Sequence, residues 1–495
     1  MKRISIDPVT RLEGHGKIEI FLDDKGDVAN AYFQVPELRG FEKFAEGRPV
    51  EELPRITPRI CGVCPEAHLM ASAKACDAVY GIEIPSTAKK LRELQYSAFF
   101  LGDHTTHFYA LAGPDFVCGP DAPKAERNII GVIKKVGVEV GGQVIKTRRE
   151  AHEVAQILGG KPVNPVNAIP GGMSKGLSKE ERDRIEQIAK DGVEFGKFTL
   201  KVFEDIVLKN KAYVDLILSD PYTFPTYYMG LVDEKNKVNF YDGKVRVVGP
   251  DGKEHCKYSP HEYREYVAEH VEPWTYLKFP YLKKIGWKGF VGGPDSGVYQ
   301  ATPLSRLNAS DGMATPLAQA EYEKMFKTLG GKPVKHNLAM HWARVIELMY
   351  AAEKLLELVR DEEITGPEYR IIPPSPLSKR GGEGGFYEGV GIVEAPRGTL
   401  THHYWTDENG IVKKANLIVG TTNNHAPICM SIKKAAQGVI KAGKPVTDGL
   451  LNMVEMSFRS YDPCYGCATH SLPGEMPLEV IVYDNEHNVI HKLSR

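Results

Sequence analysis

Two Cys-x-x-Cys pairs near opposite ends of the chain constrain its fold more than any other feature. Cys61 and Cys64 form the first pair, and Cys464 and Cys467 form the second, about 400 positions further along the sequence. A glycine inside each pair lets the backbone turn tightly, so that both sulfurs can face a single ion. A metal bound by all four thiolates would therefore join the two ends of the chain.

A structural zinc site is the main alternative. On cysteine spacing alone, zinc explains the two pairs about as well as a catalytic metal does. Zinc modules, however, usually draw their ligands from one compact segment, with a loop of about 15–20 residues between the pairs. The long separation here favours a site that organises the whole fold. Thiolates are soft donors, so nickel, iron or zinc suits them better than magnesium or calcium.

Composition excludes several classes of protein. The 495 residues are 42% hydrophobic and carry a net charge of −1, which is typical of a soluble globular protein. No excess of basic residues is available to neutralise phosphates, so nucleic acid is not expected as a partner. No run of about 18 apolar residues predicts a membrane span, and the N-terminus lacks a secretory signal. We expect a cytoplasmic protein without a membrane partner.

The pattern of apolar residues predicts a mainly α fold with α+β additions. Alternating apolar residues around 18–33 predict an N-terminal β hairpin. Helical spacing then predicts four long helices: one opened by Ser86 as a cap, one over about 124–158, one from the capping box Ser178–Glu181 to about 208, and one over 337–360. Four helices of this length predict a central bundle, with small sheets at its periphery.

The remaining segments suggest how this single unit, residues 1–495, is organised. Residues 210–335 are rich in aromatic residues, glycine and proline, and predict an α+β insertion region. Residues 373–390 form the most loop-like stretch of the chain. Alternation at Leu478, Val480 and Val482, followed by a turn at 484–485, predicts an ordered β unit in a C-terminal extension, residues 471–495.

The two cysteine pairs belong to longer motifs that occur together with several others. The first reads RxCGxCxxxH from Arg59 to His68, and the second reads DPCxxCxxH from Asp462 to His470. The chain resembles the large subunits of nickel–iron (NiFe) hydrogenases in both. The resemblance extends over residues 11–15 (RLEGH), 39–42 (RGFE), 104–109 (HTTHFY), 394–398 (EAPRG) and 419–424 (VGTTNN, which lacks the proline and tryptophan of the family's VPTTWN).

The resemblance implies a centre of nickel and iron, the iron carrying carbonyl and cyanide ligands. Cys61 and Cys464 would bind nickel alone, whereas Cys64 and Cys467 would bridge nickel and iron. Arg397 would lie over the open metal position and reach one cyanide, and the hydroxyl of Thr421 would donate to the other. His68, Asp462 and Pro396 would surround this centre.

The same resemblance implies heterolytic cleavage of dihydrogen. Cys464 would accept the proton and pass it to Glu13, whose pKa burial would raise toward the working pH. Arg397 is a rival base, but it would have to lose a proton against its strong preference for charge. Glu42 and His470 would hold magnesium or another divalent ion, since a carboxylate suits magnesium and a histidine is a less usual ligand for it.

The resemblance also implies partner chains. No spacing in this chain can hold an iron–sulfur cluster besides the nickel site, so electrons would leave through an iron–sulfur small subunit. The closest resemblance is to cytoplasmic deazaflavin-non-reducing hydrogenases of methanogenesis, whose further partners would be a ferredoxin-like (delta) subunit plus a heterodisulfide reductase complex containing flavin. NAD(P)-linked and deazaflavin-reducing hydrogenases remain alternatives. The non-catalytic quinone-site subunit of respiratory complex I shares the fold but lacks the cysteines.

Family members are commonly cleaved after the final histidine of the second motif, once nickel is inserted. Here that histidine is His470, and residues 471–495 follow it. The extension is therefore either removed during maturation or retained in the mature subunit. Mass spectrometry would decide, with a C-terminus at His470 for cleavage and at Arg495 for retention.

Overall fold

Helices dominate the part of the chain that the computed structural model describes, which comprises residues 2–373, 387–470, 479–483 and 489–494. Short 3-10 or π-helical turns extend several of them, most notably after Thr106. The α-helices of the described part are α1 Phe41–Ala45, α2 Leu53–Ile56, α3 Pro65–Tyr80, α4 Ser86–Thr106, α5 Ile129–Val136, α6 Val138–Gly159, α7 Lys179–Phe203, α8 Lys211–Leu218, α9 Tyr263–Tyr266, α10 Pro303–Ala309, α11 Pro316–Thr328, α12 Met340–Val359, α13 Gly420–Asn423, α14 His425–Val439 and α15 Asp448–Arg459.

Four long helices form the predicted central bundle. α12 packs against α4 and α7, and α4 also packs against α6. Small residues allow these close approaches: Gly102 of α4 faces Ala151 of α6, and Gly196 of α7 faces Met349 of α12. A larger side chain at either glycine would meet the opposing helix. The mainly α architecture with a helical bundle is therefore confirmed.

Of the two helix caps predicted from the sequence, one is present and one is not. Ser178 Oγ accepts a hydrogen bond from the backbone of Glu181, whose carboxylate accepts one from the backbone of Ser178, so the predicted capping box is present. Ser86 was wrong as a cap, because it is the first helical residue and its hydroxyl donates to Glu363. The single helix predicted over 124–158 is broken at Gly137, which adopts a positive φ of 94°.

Small separate sheets surround the bundle. The predicted N-terminal hairpin is present as β2–β3, and β1 extends it to three antiparallel strands. The other sheets have the orders β11-β6-β7-β8, β12-β13-β14, β10-β9, β4-β5 and β15-β16. The strands are β1 Arg3–Ile6, β2 Lys17–Leu22, β3 Val28–Gln34, β4 Ala168–Ile169, β5 Gly172–Met173, β6 Tyr227–Val232, β7 Lys244–Val248, β8 Glu254–Tyr258, β9 Val267–His270, β10 Phe279–Leu282, β11 Tyr299–Gln300, β12 Tyr387–Ala395, β13 Gly398–Thr406, β14 Val412–Ile418, β15 Glu479–Tyr483 and β16 Val489–Ser494.

Two sequence-based segment predictions can be compared with these elements. Residues 210–335 hold both helices and strands, as predicted. The C-terminal extension contains the antiparallel pair β15–β16, whereas the turn predicted at 484–485 lies outside the described residues. The same is true of most of the loop predicted over 373–390. Within the described residues, no helix combines the length and apolar character needed to cross a membrane.

The strands β12 and β13 bring one functional segment into the interior. They pair from Tyr387 with Thr406 to Ala395 with Gly398, which leaves Pro396 and Arg397 as a two-residue turn. β12 packs along α3, where Gly389 and Gly391 face the helix backbone at distances that no side chain could occupy. This close packing aligns the turn with the N-terminal end of α3, which begins directly after Cys64.

Candidate metal centre

The four paired cysteines meet in one buried cluster. Cys61 Sγ lies 3.4 Å from Cys464 Sγ, and Cys64 Sγ lies 3.2 Å from Cys467 Sγ. All four sulfurs fall within 4.8 Å of one another, and each residue is buried. The fold thus brings the two cysteine pairs together, as a single site built from all four thiolates requires.

The first pair occupies the entry to α3. A 3-10 turn ends at Ile60, Cys61 is extended, and Cys64 directly precedes the first residue of α3. The backbone N–H groups of Val63 and Cys64 donate to Cys61 Sγ at 3.2 and 3.4 Å. Contacts with the other three cysteines lower the pKa of Cys61, with Cys464 contributing most. The lowered pKa favours the thiolate form of Cys61, which is the form that binds a metal.

The second pair lies in irregular backbone after α15. The N–H of Cys464 donates to Thr421 Oγ1 at 3.0 Å, and the hydroxyl of Thr422 donates to the carbonyl of Ala468 at 3.2 Å. Burial raises the pKa of Cys464 and of Cys467. Buried thiols of raised pKa become thiolates when a cation binds them, so the four-sulfur donor set suits a soft metal ion.

Glu13 contacts the second pair directly. Its Oε2 lies 2.9 Å from Cys464 Sγ and accepts a hydrogen bond from the N–H of Gly466, also at 2.9 Å. The carbonyl of Glu13 accepts a further bond from the N–H of Tyr465. Burial raises the pKa of the Glu13 carboxyl. The arrangement can pass a proton between a sulfur and a carboxylate.

Arg397 is held near the cluster by two aspartates. Its Nη1 donates to Asp103 Oδ2, and its Nη2 lies within 3.0 Å of Asp462 Oδ2. Burial lowers and the two carboxylates raise the pKa of Arg397, which ends well above its usual value. Arg397 Nε is buried without a partner among the described residues. One donor of this guanidinium is therefore free for an acceptor inside the site.

The remaining predicted residues surround the cluster. His68 Nδ1 lies 3.1 Å from His402 Nε2, and His402 Nδ1 lies 2.6 Å from the hydroxyl of Tyr404. The carbonyl of Pro396 faces Arg306 at 3.4 Å. His68, His402 and Tyr404 thus form a buried hydrogen-bonded chain.

The chain segments that carry Glu42 and His470 are hydrogen-bonded to each other through their backbones. The N–H of Glu42 donates to the carbonyl of His470 at 3.3 Å. Glu42 Oε1 accepts from Lys278 Nζ at 3.2 Å and from the N–H of Leu417 at 2.8 Å. His470 Nε2 contacts the carbonyl of Cys467, and its Nδ1 is buried without a partner in the described part of the chain. That orphaned nitrogen fits a further cation or water.

Sequence reasoning assigned no role to several ionisable residues around the site. Asp103 and His107 lie on and just after α4, and His107 Nδ1 is 3.1 Å from Asp462 Oδ1. α12 adds His341, Arg344 and Glu347, which are buried on one face although the helix was predicted from its apolar stripe. Their spacing of three residues could have indicated a buried polar site. It places ionisable side chains on one face of a helix whose many apolar residues predict burial.

The other four cysteines lie apart from the four-sulfur cluster. Cys76 and Cys429 are buried and donate weakly to the backbone carbonyls of Val50 and Phe33. Cys118 is buried, and Cys256 is half-buried. Among the described residues, they take no part in the metal-ligand cluster.

Comparison with known proteins decides the family. Residues 39–136 and 226–470 match the nickel-dependent hydrogenase family, and residues 3–38 match a HoxL-like family. The chain belongs to the nickel-dependent hydrogenase family. The hydrogenase is 52% identical to an F420-non-reducing hydrogenase chain of Archaeoglobus profundus, whose name describes it as an iron-sulfur subunit, over 99% of both chains. It is 42% identical to the corresponding F420-non-reducing hydrogenase chain of Methanothermobacter marburgensis, over the full length of both.

A solved structure supports the same assignment. The hydrogenase is 35% identical to a chain of an NAD+-reducing NiFe-hydrogenase in its H2-reduced state, with a TM-score of 0.87. The match covers 95% of the hydrogenase and all of that chain. The protein is thus the large subunit of a NiFe hydrogenase, an oxidoreductase acting on hydrogen, with nickel as its metal. The predicted hydrogenase family is therefore confirmed.

Proposed function

We propose that the four cysteines hold nickel and iron in one centre. Cys61 and Cys464 would bind nickel alone, whereas Cys64 and Cys467 would bridge nickel to an iron carrying carbonyl and cyanide ligands. The observation that carries this proposal is the convergence of four buried sulfurs beside Glu13. Four thiolates place negative charge in a buried site, which favours bound cations and nearby donors.

Two donors fit the diatomic ligands of such an iron. The unpartnered Nε of Arg397 would donate to one cyanide. Thr421 Oγ1 accepts from the backbone of Cys464, so its own proton is available for the second cyanide. His68, Pro396 and Asp462 would orient these groups without contacting the metals themselves.

The protein's own part in the reaction is to move a proton. When bound, nickel and iron supply the electrophilic centre at which dihydrogen is polarised. Cys464 would take up the proton, since its sulfur lies 2.9 Å from the carboxylate that can receive it. Glu13 would then carry that proton away from the centre. Arg397 is the weaker base, because two carboxylates hold it in its charged form.

A divalent ion, magnesium by the family resemblance, would bind between Glu42 and His470. The adjacent chain segments and the orphaned Nδ1 of His470 support this proposal. Lys278 already supplies one positive charge to Glu42, so an incoming ion would share or displace that contact.

Electrons would leave to an iron–sulfur small subunit. The names of the relatives, which describe each of them as one subunit of a hydrogenase, support such a partner. We propose that further transfer runs through a ferredoxin-like subunit to a heterodisulfide reductase in the cytoplasm. Reduction of NAD(P) is the second candidate, favoured by the fold match to an NAD+-reducing enzyme. Purifying the complex and assaying both acceptors would decide between them.

The chain would fold as one unit, residues 1–495, with 210–335 as its α+β region and 471–495 as an extension that is either removed on maturation or retained. Intact-mass measurement of the purified subunit tests that removal. A C-terminus at His470 supports cleavage, and one at Arg495 contradicts it.

Infrared spectroscopy of the purified complex is the decisive test of the centre. We expect carbonyl and cyanide bands, together with nickel in elemental analysis. Zinc in place of nickel, with no such bands, would overturn the proposal. Few other protein sites produce these bands, so the experiment does not depend on the choice of electron acceptor.

A further inference from the structure

We propose that Arg306 is a positioning residue for Arg397, which it reaches through the turn between β12 and β13. This inference rests on the function proposed for Arg397 at the metal centre. Arg306 lies on α10, and its side chain is completely buried. It contacts no cysteine in the described structure, and its hydrogen bonds go to the turn and to two carboxylates.

The turn that carries Arg397 has little conformational preference of its own. Two-residue hairpin loops favour turns that need positive φ in their first residue or in both. Pro396 is fixed at a negative φ by its ring, and Arg397 is not among the residues with positive φ. The turn therefore depends on hydrogen bonds from outside the hairpin.

Arg306 supplies those bonds on the N-terminal side of the turn. Its Nη1 donates to the carbonyl of Ala395 at 2.8 Å, and its Nη2 faces the carbonyl of Pro396 at 3.4 Å. Asn424 Nδ2 donates to the carbonyl of Arg397 at 2.9 Å on the other side. Each of the three consecutive carbonyls is thus held by a buried side chain.

Two carboxylates fix the guanidinium of Arg306 in turn. Glu347 accepts a bidentate pair of bonds at 2.6 and 2.7 Å, and Glu394 accepts one at 2.9 Å. Glu347 also contacts His104 Nε2 at 2.9 Å. Both carboxylates are completely buried. All the nitrogens of Arg306 are therefore hydrogen-bonded. Because its guanidinium is rigid and planar, the bonds to Glu347 of α12 fix the position of the bonds to the turn.

The geometry of the fork matters more than its charge. A lysine at position 306 would keep the positive charge between Glu347 and Glu394, but a single ammonium cannot reach both carboxylates and both carbonyls. We expect the turn to relax and the Arg397 guanidinium to shift relative to the metal centre. Groups that orient metal-site residues commonly affect activity by about 10- to 100-fold.

Arg92 provides a matched control. It is equally buried, pairs with Asp77 at 2.7 Å, and donates to the carbonyls of Ile169 and Gly172. Asp77 lies on α3, about 20 Å along the helix from Cys64. Arg92→Lys should thus reproduce the general cost of replacing a buried arginine without moving Arg397.

The test uses the purified hydrogenase complex carrying Arg306→Lys or Arg92→Lys. For R306K we expect shifted carbonyl and cyanide bands and a roughly 10- to 100-fold lower kcat with an unchanged KM for hydrogen, while R92K keeps wild-type bands. Unmoved bands in R306K, with a kcat equal to that of R92K, would overturn the role of Arg306. An absence of bands in the wild-type complex would instead overturn the proposed metal centre.

A second variant covers the case in which R306K does not accumulate. Glu347→Gln keeps the shape of the side chain but weakens its hold on the guanidinium. We expect band shifts in the same direction as for R306K and smaller in size. Wild-type bands and a wild-type kcat in E347Q would contradict the proposal.

Discussion

The two cysteine pairs of this hydrogenase contribute two sulfurs each to the buried cluster but are built in different ways. The first pair is supported locally, since the sulfur of Cys61 accepts hydrogen bonds from the N–H groups of the next residues and α3 starts directly after Cys64. The second pair is supported from far along the chain, by Glu13 and by Thr421. One half of the site is thus a local motif, whereas the other half depends on the completed fold.

This difference has a physical basis. A helix entry fixes its backbone through bonds between residues close in sequence, so little chain entropy opposes it. The segment around Cys464 has no regular structure to supply its bonds, so its N–H groups pair with distant groups. We therefore expect the second pair to be the more sensitive one to changes elsewhere in the protein.

Removing a ligand should give the largest effect. Cys467→Ser replaces a proposed bridging thiolate by a hydroxyl, a much poorer ligand for nickel and iron. We expect complete loss of activity and of both metals, measured by hydrogen uptake and elemental analysis. Cys76→Ser is the control, because Cys76 is equally buried but lies outside the four-sulfur cluster and donates to the carbonyl of Val50. Metal retained in C467S would remove Cys467 from the centre.

Neutralising Glu13 should block turnover without disturbing the second pair. Glu13→Gln keeps the backbone bond to Tyr465 but loses the proton acceptor. We expect about a 10²–10⁴-fold lower kcat, with nickel content intact. Glu19→Gln, a buried carboxylate on β2 that pairs with Lys17, should leave kcat unchanged. Full activity in E13Q would reject Glu13 as the proton carrier.

Threonine substitutions compare the support of the two pairs directly. Thr421→Val leaves the N–H of Cys464 buried without an acceptor, which should lower stability by about 1–3 kcal/mol. Thr57→Val beside the first pair removes a hydroxyl that donates to the carbonyls of Leu53 and His68 but leaves no N–H of that pair without an acceptor, and we expect at most about 1 kcal/mol. Denaturant unfolding of both variants measures the difference. Equal losses would mean that the two pairs are supported alike.

The smallest effect concerns the two aspartates that hold Arg397. Burial raises the pKa of Asp103 to about 6, whereas Arg397 and His107 outweigh burial and lower that of Asp462. A carboxyl with a raised pKa stabilises the fold at low pH, and this contribution is lost as the pH rises from about 4 to about 6. We expect Asp103→Asn to flatten the stability profile in that window. An unchanged profile would contradict the raised pKa.

Some of these features were readable from the sequence because their signals are local. The capping box at Ser178 needs two residues of one turn, and the cysteine pairs need three-residue spacing and a glycine. The break at Gly137 could not be predicted, since a glycine within an apolar helical pattern is compatible with both a continuous helix and a break. Ser86 failed as a cap because a distant carboxylate, Glu363, engages its hydroxyl.

The sequence by itself determined most of the long helices and, through motif resemblance, the hydrogenase family, and it predicted that the two cysteine pairs meet in one site. Only the tertiary structure decided how the second cysteine pair is held and which buried charges surround it. The pairings of Asp103, Arg306 and Glu347 have no local signal, because the partners lie tens to hundreds of residues apart in the sequence. Sequence periodicity reports which face of an element is buried, whereas the pairing of buried charges depends on how those faces meet.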